Sequence, residues 1–225
     1  MISRAMQDYL KAIFQLAGEG GVASTSDLAQ RLDVTPASVT GMAKKLDDMR
    51  LVQHEPYRGV RLTRAGSRVA LEMIRHHRLI ELYLAEALGV PWDQVHAEAE
   101  RLEHVISEDL ERRMAQALGD PSHDPHGAPI PSADGRIASS AATTNLADCP
   151  PGVTTEVIEV DDGNPAILRF LATHGIRPRV VMDVVRVEPF GGPVVVRVGE
   201  VTCSVGLEAA RDVRVREVGR KAASA

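Results

Sequence analysis

The chain has 225 residues, 44% of them hydrophobic, and a formal net charge of −5, which excludes a protein that binds polyanions through overall charge alone. Cys149 and Cys203 are too few and too far apart for a disulfide framework and point to a reducing cytoplasm. No run approaches the ~18 apolar residues of a membrane span, and the opening "MISRAMQDYLKAIFQL" lacks the apolar run and cleavage site of a signal peptide.

Residues 3–17 pattern as an amphipathic helix with Met6, Leu10, Ile13, Phe14 and Ala17 on one side, stopped by "GEGG". "STSDLAQRLDV" reads as a short helix that starts on Ser or Thr and buries Leu28, Ala29 and Leu32. In "TPASVTGMAKKLDDMRL", Thr35 can cap a second helix, Pro36 suits its first position, and Val39, Met42, Ala43 and Leu46 line its inner face. "LVQHEPYRGVRLTRAG" alternates and turns at "PYRG", as a β-hairpin does. A long helix is expected from about Arg64 through "LYLAEAL", and a further one from about Asp93 to Leu118 after the break at "GVPWDQ". Residues 119–152, rich in Pro, Gly, Ser and Ala, read as loop and then flexible linker. The tail holds four Val-rich alternating runs and one short helix, "AILRFLATHG", a pattern that suggests a small barrel.

Charge follows this division. Residues 1–80 carry 12 Lys/Arg against 8 Asp/Glu, residues 81–152 carry 4 against 13, and residues 153–225 carry 10 of each. A basic first third ahead of an acidic middle separates a polyanion-binding part from a cation-binding part, or else reflects clustering on solvated helices.

Two helices joined by a tight turn and followed by a basic hairpin form a winged helix-turn-helix pattern. The outward positions of the second helix are Thr35, Ala37, Ser38, Thr40, Gly41 and Lys44. Their short side chains specify bases weakly compared with Arg on guanine. Lys44, Lys45, Arg58, Arg61 and Arg64 are the candidate phosphate contacts with double-stranded DNA, giving an affinity that falls with salt.

In "HAEAERLEHVISEDLERR", His96, Glu100, Glu103 and His104 fall at i, i+4, i+7 and i+8, an arc roughly 100° wide on a helix. His77 and Glu81 repeat an i, i+4 pair on the preceding helix. Such pairs also occur as ordinary exposed contacts worth a few tenths of a kcal/mol. Both sets together, beside a DNA-binding pattern, favour metal, and imidazole with carboxylate suits Mn(II), Fe(II), Co(II) or Zn(II). His123 and His126 in the Pro-rich loop read as structural. His76 and His174 lack a helical partner that makes a case, and His54 belongs to the wing.

"DYLKAIFQL", "LDVTPASVTGMAKKL", "YRGVRLTRAG", "HHRLIELYL", "HAEAERLEHVISEDLERRM" and "DPHGAPIP" together resemble the diphtheria-toxin-repressor-like metalloregulators, which include iron-dependent and manganese-transport regulators. The resemblance covers nearly the whole chain. It implies an α+β protein with a winged helix-turn-helix over residues 1–70, an all-α dimerisation and metal domain over 71–140, a linker over 141–152 and an SH3-like β-barrel over 153–220. It also implies a cytoplasmic homodimer on a palindromic operator, with no membrane partner, no small-molecule substrate and no enzymatic activity. The primary metal site implied takes Asp8, Glu100, Glu103 and His104, and the ancillary site takes His77, Glu81 and His96. In the longer members the barrel adds two oxygen ligands, for which "VDDGN" offers Asp161 and Asn164, or Glu159 or Asp162 instead.

Iron-responsive members carry Met and Cys where this chain has Asp8 and Glu100, so the harder donor set favours Mn(II) over Fe(II). Zn(II), Co(II) or Cd(II) can bind in vitro. Manganese regulators without the barrel carry a Glu where this chain has Lys11, which argues for separated sites over their two-metal cluster. Two other functions compete: a DNA-binding protein whose metal is structural, and a metal-dependent hydrolase with an open coordination position, for which no further acid, base or nucleophile motif is apparent.

Overall fold

The computed structural model describes residues 2–55, 58–138 and 142–220. Pro56 and Tyr57 of the expected hairpin turn and residues 139–141 lie outside them. The chain divides into two compact units, one of residues 1–77, 100–111 and 131–137, the other of residues 78–99, 112–130 and 138–225.

The first unit opens with α1 (Arg4–Ala17), capped by the Ser3 hydroxyl and ended at Gly18 (φ 67°). The Ser24 hydroxyl accepts from Asp27 N–H to start α2 (Thr25–Arg31), and Thr35 accepts from Ser38 N–H to start α3 (Pro36–Asp48), with Pro36 in the first turn. β1 (Val52–Glu55) and β2 (Gly59–Leu62) pair antiparallel, with Val52 opposite Leu62. Ala23 bridges Val60, and a Cβ at Gly59 (φ 116°) would lie 2.4 Å from the Ala23 carbonyl oxygen, so this approach requires glycine. Leu10, Ile13, Leu28, Val39, Leu46, Val52, Val60 and Leu62 form the core, the face the apolar periodicity marks.

α4 (Arg64–Leu88) is the expected long helix. The helix expected over 93–118 is instead two, α5 (Val95–Leu102) and α6 (Glu108–Ala117), separated by residues 103–107. The reason is local. Val105 and Ile106 are β-branched, and the Ser107 hydroxyl accepts from Leu110 N–H to begin a new helix. Glu108, Asp109 and Glu111 in its first turn complement the helix dipole. Glu103 and His104 therefore stand on non-helical backbone, and the single arc expected for His96, Glu100, Glu103 and His104 does not form.

In the second unit, β3 (Thr144–Asn145), β4 (Val153–Val160), β5 (Val181–Val187), β6 (Val194–Val198), β7 (Val201–Val205) and β8 (Val213–Arg220) make an antiparallel sheet of order β3-β8-β4-β5-β6-β7. α7 (Pro165–Thr173) and α8 (Leu207–Arg211) accompany it. Trp92, Leu146, Val157, Leu168, Leu171, Val196 and Val215 belong to its core. The segment expected to be a free linker thus supplies both a strand and the fully buried Leu146. A Cβ at Gly127 (φ 89°) would lie 2.0 Å from the Ile158 carbonyl oxygen, so glycine lets the 124–128 loop press against β4, where Val160 N–H donates to the His126 carbonyl oxygen at 2.9 Å.

Candidate metal centres and nucleic-acid interface

The first unit gathers Asp8, Glu103 and His104, whose ligand atoms lie within 4.8 Å of one another. Asp8 stands on α1 among residues whose apolar neighbours anchor the winged-helix core. His104 Nδ1–H donates to Gln7 Oε1 at 2.9 Å, which turns Nε2 inwards. Nε2 is buried without a hydrogen-bond partner, although Asp8 Oδ1 is 2.8 Å away and Glu103 Oε1 3.5 Å away. Three electron-rich atoms facing one point, with an outer residue orienting the imidazole, fit a divalent ion. Burial and the neighbouring Glu103 raise the Asp8 carboxyl above its ordinary value, against the pull of His104.

Glu103 is fully buried. Burial alone would raise its carboxyl, but bonds from His77 and Lys11 outweigh this and hold it below its ordinary value. His77 Nδ1 lies 2.5 Å from Glu103 Oε2 and 3.8 Å from Glu100 Oε1. Glu100, the fourth residue of the expected primary set, is half-exposed and meets Lys11 at 2.8 Å. His76 Nδ1–H donates to the Glu103 carbonyl oxygen at 3.1 Å, bracing the gap between α5 and α6. Neither Gln7 nor His76 was picked out by spacing, because each acts across units of sequence far apart.

The second unit brings Glu81, His96 and Asp162 together. His96 Nδ1 is 3.2 Å from Glu81 Oε1 and 3.2 Å from Asp162 Oδ2. Burial would lower the imidazole, but its bonds to Asp162 and Glu81 outweigh it and push its pKa to about 10. A strongly held proton between two carboxylates marks a position that attracts a cation. Of the four acidic or amide candidates at and after the end of β4, Asp162 reaches His96. Asp161 Oδ1 accepts from Gly163 N–H, and Asn164 caps α7 by accepting from Ala166 and Ile167 N–H. Glu159 lies 4.0 Å from Arg214.

His126 also belongs here. Its Nε2–H donates to the Trp92 carbonyl oxygen at 2.8 Å, its ring stacks on Trp92 with centroids 5.3 Å apart, and its Nδ1 faces Glu81 Oε2 at 3.9 Å. Burial opposes its charge, yet Glu81 and Asp124 push its pKa to about 9. The only sequence signal for it is its place in "DPHGAPIP".

On α3 and the hairpin, Thr35, Ala37, Ser38, Lys44, Lys45, Arg58, Arg61 and Arg64 are exposed and Thr40 half-buried. The Thr40 hydroxyl donates to the Pro36 carbonyl oxygen at 3.0 Å, and Arg58 pairs with exposed Glu55 at 3.2 Å. Among the described residues no helix is long and apolar enough to cross a membrane.

Three family models match the chain: "Iron dependent repressor, N-terminal DNA binding domain" over residues 1–60, "Iron dependent repressor, metal binding and dimerisation domain" over 63–132, and "FeoA domain" over 144–217. The chain is 32% identical over 224 residues to the iron-dependent repressor IdeR of Mycobacterium tuberculosis, covering 93% of this chain and 96% of that one. It is 35% identical over 126 residues to the diphtheria toxin repressor of Corynebacterium diphtheriae, covering 56% of each. Among solved structures, a manganese-dependent transcriptional repressor in complex with manganese superposes with a TM-score of 0.86 at 37% identity, over 95% of this chain and 100% of that one. ScaR with bound Zn²⁺ gives 0.79 at 28% identity, over 95% and 99%.

Proposed function

Because the chain belongs to the iron-dependent repressor family of metal-dependent, DNA-binding transcriptional regulators, we propose that it is a Mn(II)-responsive repressor of metal-homeostasis genes. In this reading it binds a palindromic operator as a metal-loaded homodimer. The proposed division is a DNA-binding part over 1–70, a dimerisation and metal part over 71–140 and a barrel over 153–220.

The observation that carries the reading is the primary donor set. Asp8, Glu103 and His104 converge, and the buried Nε2 of His104 has no hydrogen-bond partner. Glu100 stands where iron-type members place Cys, and Asp8 where they place Met, so oxygen and imidazole are the donors on offer. A divalent ion there neutralises carboxylates that otherwise repel. Asp8 and Gln7 ride on α1, and α1 also supplies Leu10 and Ile13 to the winged-helix core. A restraint on Asp8 is therefore a restraint on the element against which α2 and α3 pack. A hundredfold rise in DNA affinity on metal loading is a coupling of about 3 kcal/mol, and operator DNA then tightens metal binding equally. Glu81, His96 and Asp162 are proposed ancillary ligands, and His126 Nδ1 lies 3.9 Å from Glu81 Oε2. His77, the ancillary ligand given by resemblance, stays in that proposed set, and its Nδ1 also lies beside Glu103.

The test is a DNA-binding titration with Mn²⁺, Fe²⁺ and Zn²⁺ in parallel at fixed salt. Mn²⁺ is expected to promote binding at lower free concentration than Fe²⁺. An Fe²⁺ response at the lower concentration makes the chain an iron-type regulator, and an affinity indifferent to every metal makes its metal structural. Exchanging Asp8→Met together with Glu100→Cys should move the preference towards Fe²⁺, and an unchanged Mn²⁺ response refutes the donor-softness argument.

A further inference from the structure

α1 carries a cation into the acidic cluster. Lys11 Nζ lies 2.7 Å and 3.0 Å from the two Glu103 oxygens, 2.8 Å from Glu100 Oε1 and 3.1 Å from His77 Nδ1. Its side chain is 7% exposed. Long flexible lysines are rarely buried unless paired, and here both the burial and the convergence of partners exceed what one surface ion pair needs. His77, Glu100 and Glu103 are themselves within the mutual reach of metal ligands, 4.8 Å. The ammonium therefore fills a position of metal-ligand character.

The two occupants exclude each other. Divalent ions hold oxygen at about 2.0–2.6 Å, so an ion bound by His77, Glu100 and Glu103 would sit where Nζ now sits. Charge favours the lysine. Asp8, Glu100 and Glu103 bring three negative charges, Lys11 offsets one of them, and the remainder matches a single divalent ion. A second ion beside the lysine would leave the cluster, with Glu103 fully buried in it, net positive.

We infer that Lys11 is a built-in counter-ion. It holds the His77–Glu100–Glu103 position, restricts the centre to one divalent ion on Asp8, Glu103 and His104, and ties α1 to Glu100 and Glu103 before any metal arrives. This rests on the regulator reading above and adds to it: metal supplies the Asp8 and His104 links to a helix already tethered through Lys11.

The experiment counts bound metal on the full chain. Wild type and Lys11→Met are dialysed to equilibrium against Mn²⁺, and ions per chain are read by mass spectrometry and by electron paramagnetic resonance. Lys11→Met should take up one more Mn²⁺ per chain than wild type, as a spin-coupled pair. Its metal-free melting midpoint should fall and should regain more on Mn²⁺ addition than wild type gains. Equal ion counts in two metal-binding chains overturn the inference while leaving the regulator reading intact. A wild-type chain that binds no Mn²⁺ overturns that reading and the inference with it. Should Lys11→Met fail to fold, the wild-type ammonium is followed by ¹⁵N resonance on loading with diamagnetic Cd²⁺. A persistent, slowly exchanging Lys11 signal supports a resident counter-ion, and its loss refutes one.

Discussion

Glu103→Gln removes the charge of a fully buried carboxylate while keeping its size. In the metal-free chain it leaves Lys11 with Glu100 as its only carboxylate partner among the described residues, at 2.8 Å and half in solvent. Removing one partner of a buried ion pair costs about 3–5 kcal/mol, because the other charge stays behind uncompensated. Glu100 retains part of that compensation, which places this case near the lower end, about 3 kcal/mol. For a chain of this size each kcal/mol shifts the midpoint by about 2–4 °C, so calorimetry in EDTA should find the variant melting about 6–12 °C lower. The gap depends on pH. Bonds to His77 and Lys11 hold Glu103 below its ordinary value of 4.5, so its contribution is present above that pH and is lost as pH falls through the depressed value. Wild type and variant should converge in acid. A shift under about 2 °C at neutral pH, or a gap that widens in acid, refutes the buried-pair argument. In Mn²⁺ the same variant should lose metal-dependent DNA binding, and an unchanged Mn²⁺ midpoint would reject Glu103 as a primary ligand.

Lys45→Ala and Arg61→Ala should each weaken DNA binding about equally across sequences and reduce the slope of log affinity against log salt by about one, as measured by fluorescence anisotropy. A change confined to one sequence would reassign the residue to base reading. Asp162→Ala should lower ancillary metal affinity and also cost stability through the lost His96 pair, whereas Asn164→Ala should cost about 1 kcal/mol through the α7 cap and leave metal binding alone. Calorimetry with and without metal separates them, and the reverse pattern would restore Asn164 as the ligand.

What was legible in the sequence was what is local. Thr35 and Pro36 announce α3 because cap and first-turn preferences act within one turn, and the Val-rich alternation announces β4 to β6 because the strand period is read from the residues themselves. The gap between α5 and α6 was hidden because the helical spacing of acidic and imidazole residues runs straight across it. What breaks the helix is Ser107 acting on Leu110 after the β-branched Val105 and Ile106. Asp162 could not be ranked over Asp161 from "VDDGN" because neighbouring positions differ only in which way the chain leaves β4. Leu146 went unrecognised in a stretch whose Pro, Gly and Ser content reads as linker, since the pairing of Thr144–Asn145 with β8 is set by residues 214–215. The primary set is proposed by resemblance, and Lys11 stands out in the sequence only as a departure from it.

The face α3 turns outwards has a consequence for how much a binding site can say. Ala37, Ser38 and Gly41 are short, and Thr35 and Thr40 already spend their hydroxyls on neighbouring groups of their own helix. Side chains of this kind discriminate few bases, so a single half-site carries little information against the roughly 10⁶–10⁹ competing sites of a genome. On the proposed reading as an operator-binding dimer, the vocabulary of such a reader lies in spacing and in the deformability of the duplex more than in letters.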